Sequence, residues 1–303
     1  MASDSPNRLL TARDLDILLV LDHCPLTVQQ LLKVGETFQR PFTDEKRVRE
    51  RMQILCDAGR VRRFAYATAG RGALNYYTLS PLGYRILNGP EAQPPTKRYF
   101  EPVAIAHQQH TRSLADFIVH TIVGAYRSAV TFTNFYRENS LRLQVGDEFL
   151  YPDCAFLLRT GDGMEFGFLV ELDNRTERVY SHKDTDSWLR KIRLYNMLQD
   201  HCASRFRVLV ATTGSAERLR HILATACALA SNPHRRLFYG VRLSDYLQVG
   251  SCVAAPCFLD HRSEAVSLVQ SRKAPKPTAE PGTALPLGTP AMLGRSREAA
   301  PVC

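Results

Sequence analysis

The chain has 303 residues, 45% of them hydrophobic, enough for two packed domains and a tail. Its net charge of +9, with 39 Lys and Arg against 30 Asp and Glu, points to an anionic partner, nucleic acid first. No apolar run approaches the ~18 residues of a membrane helix, the polar start MASDSPNRLL is unlike a signal peptide, and none of the eight cysteines forms a C-x-x-C pair. The expectation is a cytoplasmic protein with reduced thiols, no structural zinc and no membrane partner.

From Thr11 the spacing of Leu15, Leu18 and Leu19 is helical, with Thr11 as cap and a stop at Cys24-Pro25. A short helix over residues 27–33 follows, with Val28, Leu31 and Leu32 apolar. After a loop holding Gly35 and Pro41, Thr43-Asp44-Glu45-Lys46 starts a third helix. Its buried stripe is Val48, Met52 and Leu55, and Gly59 closes it. Two strands, 61–67 and 75–79, flank a glycine-bearing turn, and Ser80-Pro81 caps another helix.

Three helices and then a two-stranded hairpin is the order of a winged helix, whose third helix enters the major groove. Between Arg40 and Arg71 nine basic residues face four acidic ones, a local surplus of five. Lys46, Arg47 and Arg51 on the third helix, Arg62 and Arg63 on the first strand, and Arg71 at the hairpin tip are the expected contacts to double-stranded DNA. The bland alternative is a winged helix used for protein pairing, with these arginines as solvated surface. The segment LSPLGYRIL also resembles the closing segment of winged-helix DNA-binding proteins.

Gly89-Pro90 through Pro94-Pro95 breaks the periodicity and marks a linker. A long helix is expected over residues 102–127, preceded on its face by His107, His110 and Arg112. Two histidines at i and i+3 lack a nearby third ligand, so a surface or interface role is the better reading. Asp116 lies on the same helix. A strand over 130–136 ends in Arg137-Glu138. Then come two apolar runs, 154–158 and 166–170, joined by Gly161-Asp162-Gly163, which read as a hairpin.

Asp153 stands at the head of this hairpin and Glu171 and Asp173 at its end. Because strand side chains alternate, Glu171 and Asp173 share a face. Three converging carboxylates suit a divalent cation, Mg²⁺ or Mn²⁺, although strand-end carboxylates fanning into solvent fit the residues equally well. A helix over 181–199, an apolar strand over 205–211, a helix over 215–230 and a strand over 236–241 complete an α-β-β-β-α-β-α-β order. The fold class is α/β, a mixed sheet flanked by helices. There is no phosphate-binding G-x-x-x-x-G-K-[ST], H-E-x-x-H or G-x-S-x-G. Tyr195, Tyr239 and Tyr246 invite a relaxase-like reading, but no H-x-H metal spacing accompanies them.

Pro152-Asp153 and Glu171-Leu172-Asp173 resemble the PD-(D/E)xK nuclease-like core. That resemblance implies that Asp153 and Glu171 hold Mg²⁺, and it expects a lysine where this chain has Asp173. Some members carry the lysine on the following helix, which here offers Lys183 and Lys191. In this reading Asp173 is either a third metal ligand, or catalysis is lost and the fold serves as a DNA-binding or dimerising platform. Arg175 and Glu177 read as a surface ion pair.

More closely, YPDCAFLL, FLVELDNRTE and WLRKIRLYNML, together with the winged helix, resemble the replication-relaxation family of bacterial and plasmid proteins over roughly residues 8–245. The resemblance implies a DNA-directed role in plasmid or mobile-element replication, alongside replication proteins. It leaves open whether the core cuts DNA or is an inactive accessory. The expected layout is a winged helix over 8–90, a linker over 91–99 and a nuclease-like domain over 100–265. A disordered Pro-rich tail over 271–303 follows.

Overall fold

A computed structural model describes residues 10–67, 74–94, 99–175, 179, 187–232 and 234–270. Arg71, Glu177, Lys183 and the tail, on which some of the expectations fall, lie outside the described residues.

The N-terminal unit begins with α1 (Ala12–His23), which Thr11 and Asp14 start with a reciprocal capping box. Next come β1 (Leu26–Thr27) and α2 (Val28–Val34), where Thr27 and Gln30 repeat the same device. Asp44 caps α3 (Glu45–Asp57). The strands β2 (Val61–Ala65) and β3 (Asn75–Leu79) follow, then α4 (Pro81–Asn88), capped by Ser80. The sheet is antiparallel in the order β1-β3-β2. This is the element order expected for a winged helix, with β1 as an addition too short to announce itself. Gly83 is required where α4 meets the turn after α3: a Cβ there would lie 2.1 Å from the Arg60 carbonyl oxygen.

The second unit is built on a seven-stranded mixed sheet. Helix α5 (Gln108–Arg127) follows a 3-10 turn at Ile105–His107, so it starts later than its apolar spacing suggested. Then come β4 (Thr131–Tyr136), a ribbon of β5 (Leu143–Val145) and β6 (Glu148–Leu150), β7 (Cys154–Arg159) and β8 (Glu165–Asp173). Helix α6 (Trp188–His201), β9 (Phe206–Thr212), α7 (Ala216–Ala228) and β10 (Phe238–Arg242) form the parallel crossovers. The short α8 (Leu243–Tyr246), β11 (Phe258–Asp260) and β12 (Ala265–Val266) close the unit. The strand order is β12-β11-β10-β9-β8-β7-β4, parallel from β8 to β10 and antiparallel at both ends.

The alternation of side chains divides the core. Val170, Leu172, Leu209 and Ala211 face α5, while Leu169, Val208 and Val210 face α6 and α7. A central strand buried on both sides reads as a continuous apolar run, as β9 does.

The first of these clusters does not stop at the Pro-rich segment 89–95. It runs from Ile17 to Val269 and joins the N-terminal unit to α5 and the sheet. Polar contacts fix the joint. The Gln30 amide donates to Asp116 at 2.7 Å, Lys33 Nζ lies 2.8 Å from His120 Nδ1, and the Tyr99 hydroxyl donates to the Asp22 carbonyl at 3.2 Å. Asp116 therefore serves this joint. Among the described cysteines Cys24, Cys56, Cys154, Cys227, Cys252 and Cys257 are free. No helix among the described residues is long and apolar enough to cross a membrane.

One basic residue expected at DNA is committed elsewhere. The Arg51 guanidinium pairs with both oxygens of Asp14, whose side chain is completely buried, and so ties α3 to α1. Arg51→Ala should cost about 3 kcal/mol in urea unfolding, because it strands a buried carboxylate. Lys46→Ala, on the exposed face, should change stability by less than ~0.5 kcal/mol. Equal effects would contradict this division of roles.

Candidate functional site

The site lies where the β7–β8 hairpin opens toward α5 and α6. Cys154 pairs with Val170 in antiparallel register, so Asp153, the residue before it, lies at the open end of the hairpin near Glu171. Asp153 is pinned at the backbone: its N–H donates to the Val170 carbonyl at 2.9 Å, and its Oδ2 accepts from the Leu172 N–H at 2.6 Å.

Glu171 is almost wholly buried, at 2% exposure. Lys191 Nζ donates to its Oε2 at 2.8 Å and the Tyr195 hydroxyl to its Oε1 at 2.5 Å. Lys191 and Tyr195 are one helical turn apart on α6, and Trp188, Ile192 and Tyr195 bury that face against the sheet. Burial pushes the Glu171 carboxyl up to about 7; the Lys191 ammonium pulls against this, and the Asp153 charge adds to it. This is a carboxylate poised near neutrality.

Asp173 has a different job. Arg218 grips it in a fork, Nε to Oδ2 and Nη2 to Oδ1, both at 2.6 Å. Thr212 donates to Oδ2 at 2.6 Å and the Trp188 indole to Oδ1 at 3.3 Å. Burial acts to raise its carboxyl, but Arg218 and Thr212 outweigh this and hold it below the usual range. Both oxygens of Asp173 are thus engaged inside the protein. It locks α7 and α6 onto the end of β8. From α6, Lys191 reaches the neighbouring Glu171, whereas Lys183 lies outside the described residues.

His110, first read as a surface or interface residue, also belongs here. Its Nε2 lies 3.1 Å from Asp153 Oδ1 and 3.9 Å from Glu138 Oε1. One ligand atom from each of the three residues falls within 4.8 Å of the others. Burial acts to lower the His110 imidazole, but the Asp153 and Glu138 carboxylates prevail and raise it, while burial raises Glu138. No local spacing advertised this group, because α5, the end of β4 and the head of β7 each supply one member. Tyr195, Tyr239 and Tyr246 are all at or below 1% exposure, which leaves none of them placed to attack a DNA strand.

On the N-terminal unit, Lys46, Arg47, Arg62 and Arg63 are exposed. Arg47 pairs with Glu50 at 2.9 Å, Arg62 lies 3.6 Å from Glu101, and Arg63 donates to Gln53 at 3.3 Å, linking β2 to α3.

Together these features define an α/β protein whose mixed sheet holds a buried glutamate paired with a helix-borne lysine. The chain belongs to the replication-relaxation family: that family's model matches residues 18–207, a span from α1 into β9 that includes Asp153, Glu171 and Lys191. No curated protein matches the chain, and no solved structure does.

The raised Glu171 carboxyl makes stability depend on pH. The unfolded chain releases this proton near the ordinary value of 4.5 and the folded chain near 7. The favourable contribution is therefore complete below the lower value and is lost as pH rises through the upper one. In chelator, wild-type melting temperature should fall between pH 5 and pH 7.5, and Glu171→Gln should flatten that fall by an amount on the order of 3 kcal/mol. Parallel curves would show that Glu171 titrates normally.

Proposed function

We propose that this protein binds duplex DNA in plasmid or mobile-element replication or relaxation and hydrolyses a phosphodiester at Asp153, Glu171 and Lys191 with Mg²⁺ or Mn²⁺. The observation that carries the reading is the Lys191–Glu171 contact of 2.8 Å, close enough to Asp153 for its charge to act on Glu171. It provides two carboxylates and one ammonium in one neighbourhood, with the lysine on the helix after the hairpin. The donor chemistry fits a divalent cation, which when bound would stabilise charge on a scissile phosphate and lower the pKa of a water.

The chain's own residues do the rest. Leu172 N–H and Tyr195 aim the two carboxylates, and Lys191 holds positive charge where a phosphate oxygen would approach. Delivery falls to the exposed face of α3 and to β2, through Lys46, Arg47, Arg62 and Arg63, with α2 docked on α5 so that the bound duplex keeps one orientation to the sheet. One observation favours an inactive core used for assembly: both Glu171 oxygens are already engaged inside the protein.

Nicking of a supercoiled plasmid decides between them. Wild type with Mn²⁺ or Mg²⁺ should yield open circles, and Asp153→Ala, Glu171→Ala and Lys191→Met should each lose at least ~100-fold in rate. No nicking with either cation, with gel-shift binding intact, would leave the assembly reading. Separately, Lys46→Ala with Arg47→Ala should weaken DNA binding and reduce the salt slope by about two, one per lost phosphate contact. An unchanged slope would move the DNA surface off α3.

A further inference from the structure

Asp153 uses only one carboxylate oxygen on the hairpin backbone, and the other faces away from Glu171's partners toward α5. There it meets His110, which lies on the first turn of a twenty-residue helix, and Glu138, just past the end of β4. Each member is carried on or beside a different element of the packed core, so the three are brought together by the fold itself.

The distances suit a shared ion. Ligand atoms bound at about 2.0–2.2 Å to one cation stand roughly 3.0 Å apart at a right angle and roughly 4.2 Å apart when opposed. The separations of 3.1 Å and 3.9 Å, and the 4.8 Å bound on the whole set, lie in or close to that span. A second observation concerns the imidazole. His110 Nε2 is shielded from solvent and sits among the two carboxylates, yet it makes no aligned hydrogen bond. A nitrogen so placed has a lone pair to offer when neutral. Asp153 is already oriented by the Leu172 N–H, the outer support that metal-binding carboxylates commonly have.

We infer that His110, Glu138 and Asp153 form a three-ligand site for a divalent first-row transition ion of the Mn²⁺ or Zn²⁺ type, beside the Glu171–Lys191 pair. Two carboxylates and a neutral imidazole balance a dication. The nitrogen ligand favours such ions over Mg²⁺ and Ca²⁺, which prefer oxygen alone. Three protein ligands leave coordination positions for water or a phosphate oxygen. The inference deepens the reading proposed above, because Asp153 serves both groups, but it does not need the protein to cut DNA. The competing explanation is a protonated His110 bridging two carboxylates with no affinity for metal.

The test uses the full chain stripped with chelator. Mn²⁺ binding is followed by electron paramagnetic resonance and Co²⁺ binding by its visible absorption. Wild type should bind Mn²⁺, with Mg²⁺ competing only weakly. Binding should weaken by at least about tenfold in both His110→Ala and the isosteric Glu138→Gln, and the Co²⁺ band should change in His110→Ala, which removes a nitrogen ligand. Circular dichroism confirms that each variant is folded, and Glu138→Gln keeps the test valid should His110→Ala unfold. Mn²⁺ affinity unchanged in a folded variant, no binding at all, or full displacement by equimolar Mg²⁺ would overturn the inference. Plasmid nicking by wild type, set beside Mn²⁺ binding, separates the two proposals. Mn²⁺ binding retained alongside a wild type that never nicks would sink the nuclease reading and keep this site. Nicking by wild type with Mn²⁺ affinity indifferent to His110 and Glu138 would do the reverse.

Discussion

A carboxylate placed inside a protein must be neutralised, paired or given a metal, since an isolated buried charge costs several kcal/mol even after relaxation. Glu171 meets this constraint in the middle of the sheet. Its position on β8 is set by alternation along a nine-residue strand, and its compensation comes from α6, which brings Lys191 and Tyr195 to its two oxygens. The requirement reaches outward. Helix α6 must lie where these side chains can meet Glu171, so Trp188 and Ile192 pack that helix on the sheet. Asp173, one step along the same face, fastens the far end through Trp188, Thr212 and Arg218.

That division of labour between two carboxylates on one strand gives the site its character. Asp173 is satisfied by four donor contacts and held ionised, as a structural anchor is. Glu171 is raised toward neutrality by burial and by Asp153, against the pull of Lys191. Asp173 stands where the PD-(D/E)xK resemblance expects a lysine, and Lys191 of the next helix contacts Glu171. The N-terminal unit is tied in by the same logic at a distance: Gln30 and Lys33 fix it against α5, Tyr99 after the linker bonds back to α1, and α5 also carries His110 toward Asp153.

Much of this was readable in the chain. Apolar runs at 154–158, 166–170 and 205–211 announced their strands, and the stripe Val48, Met52, Leu55 announced α3. Two further features left a visible signal. Arg51 lies three residues after Val48 and four before Leu55, on the buried side of the helix, where an arginine needs an internal partner. Leu141, Leu143 and Val145 alternate with Arg142 and Gln144 before Gly146-Asp147, which is a ribbon pattern, and β5–β6 forms there. By contrast His110 and Glu138 carry no local signal, because proximity across 43 residues of chain, from 110 to 153, is a property of the fold. Strand β1 is too short for any periodicity.

The most direct measurement is a carboxyl-carbon NMR titration of Glu171 in metal-free protein, repeated in Lys191→Met. Wild type should titrate near 7, and loss of the ammonium that favours the charged form should move the midpoint higher. A midpoint in the ordinary carboxylate range, or one that does not respond to Lys191, would contradict the pairing on which the site is built.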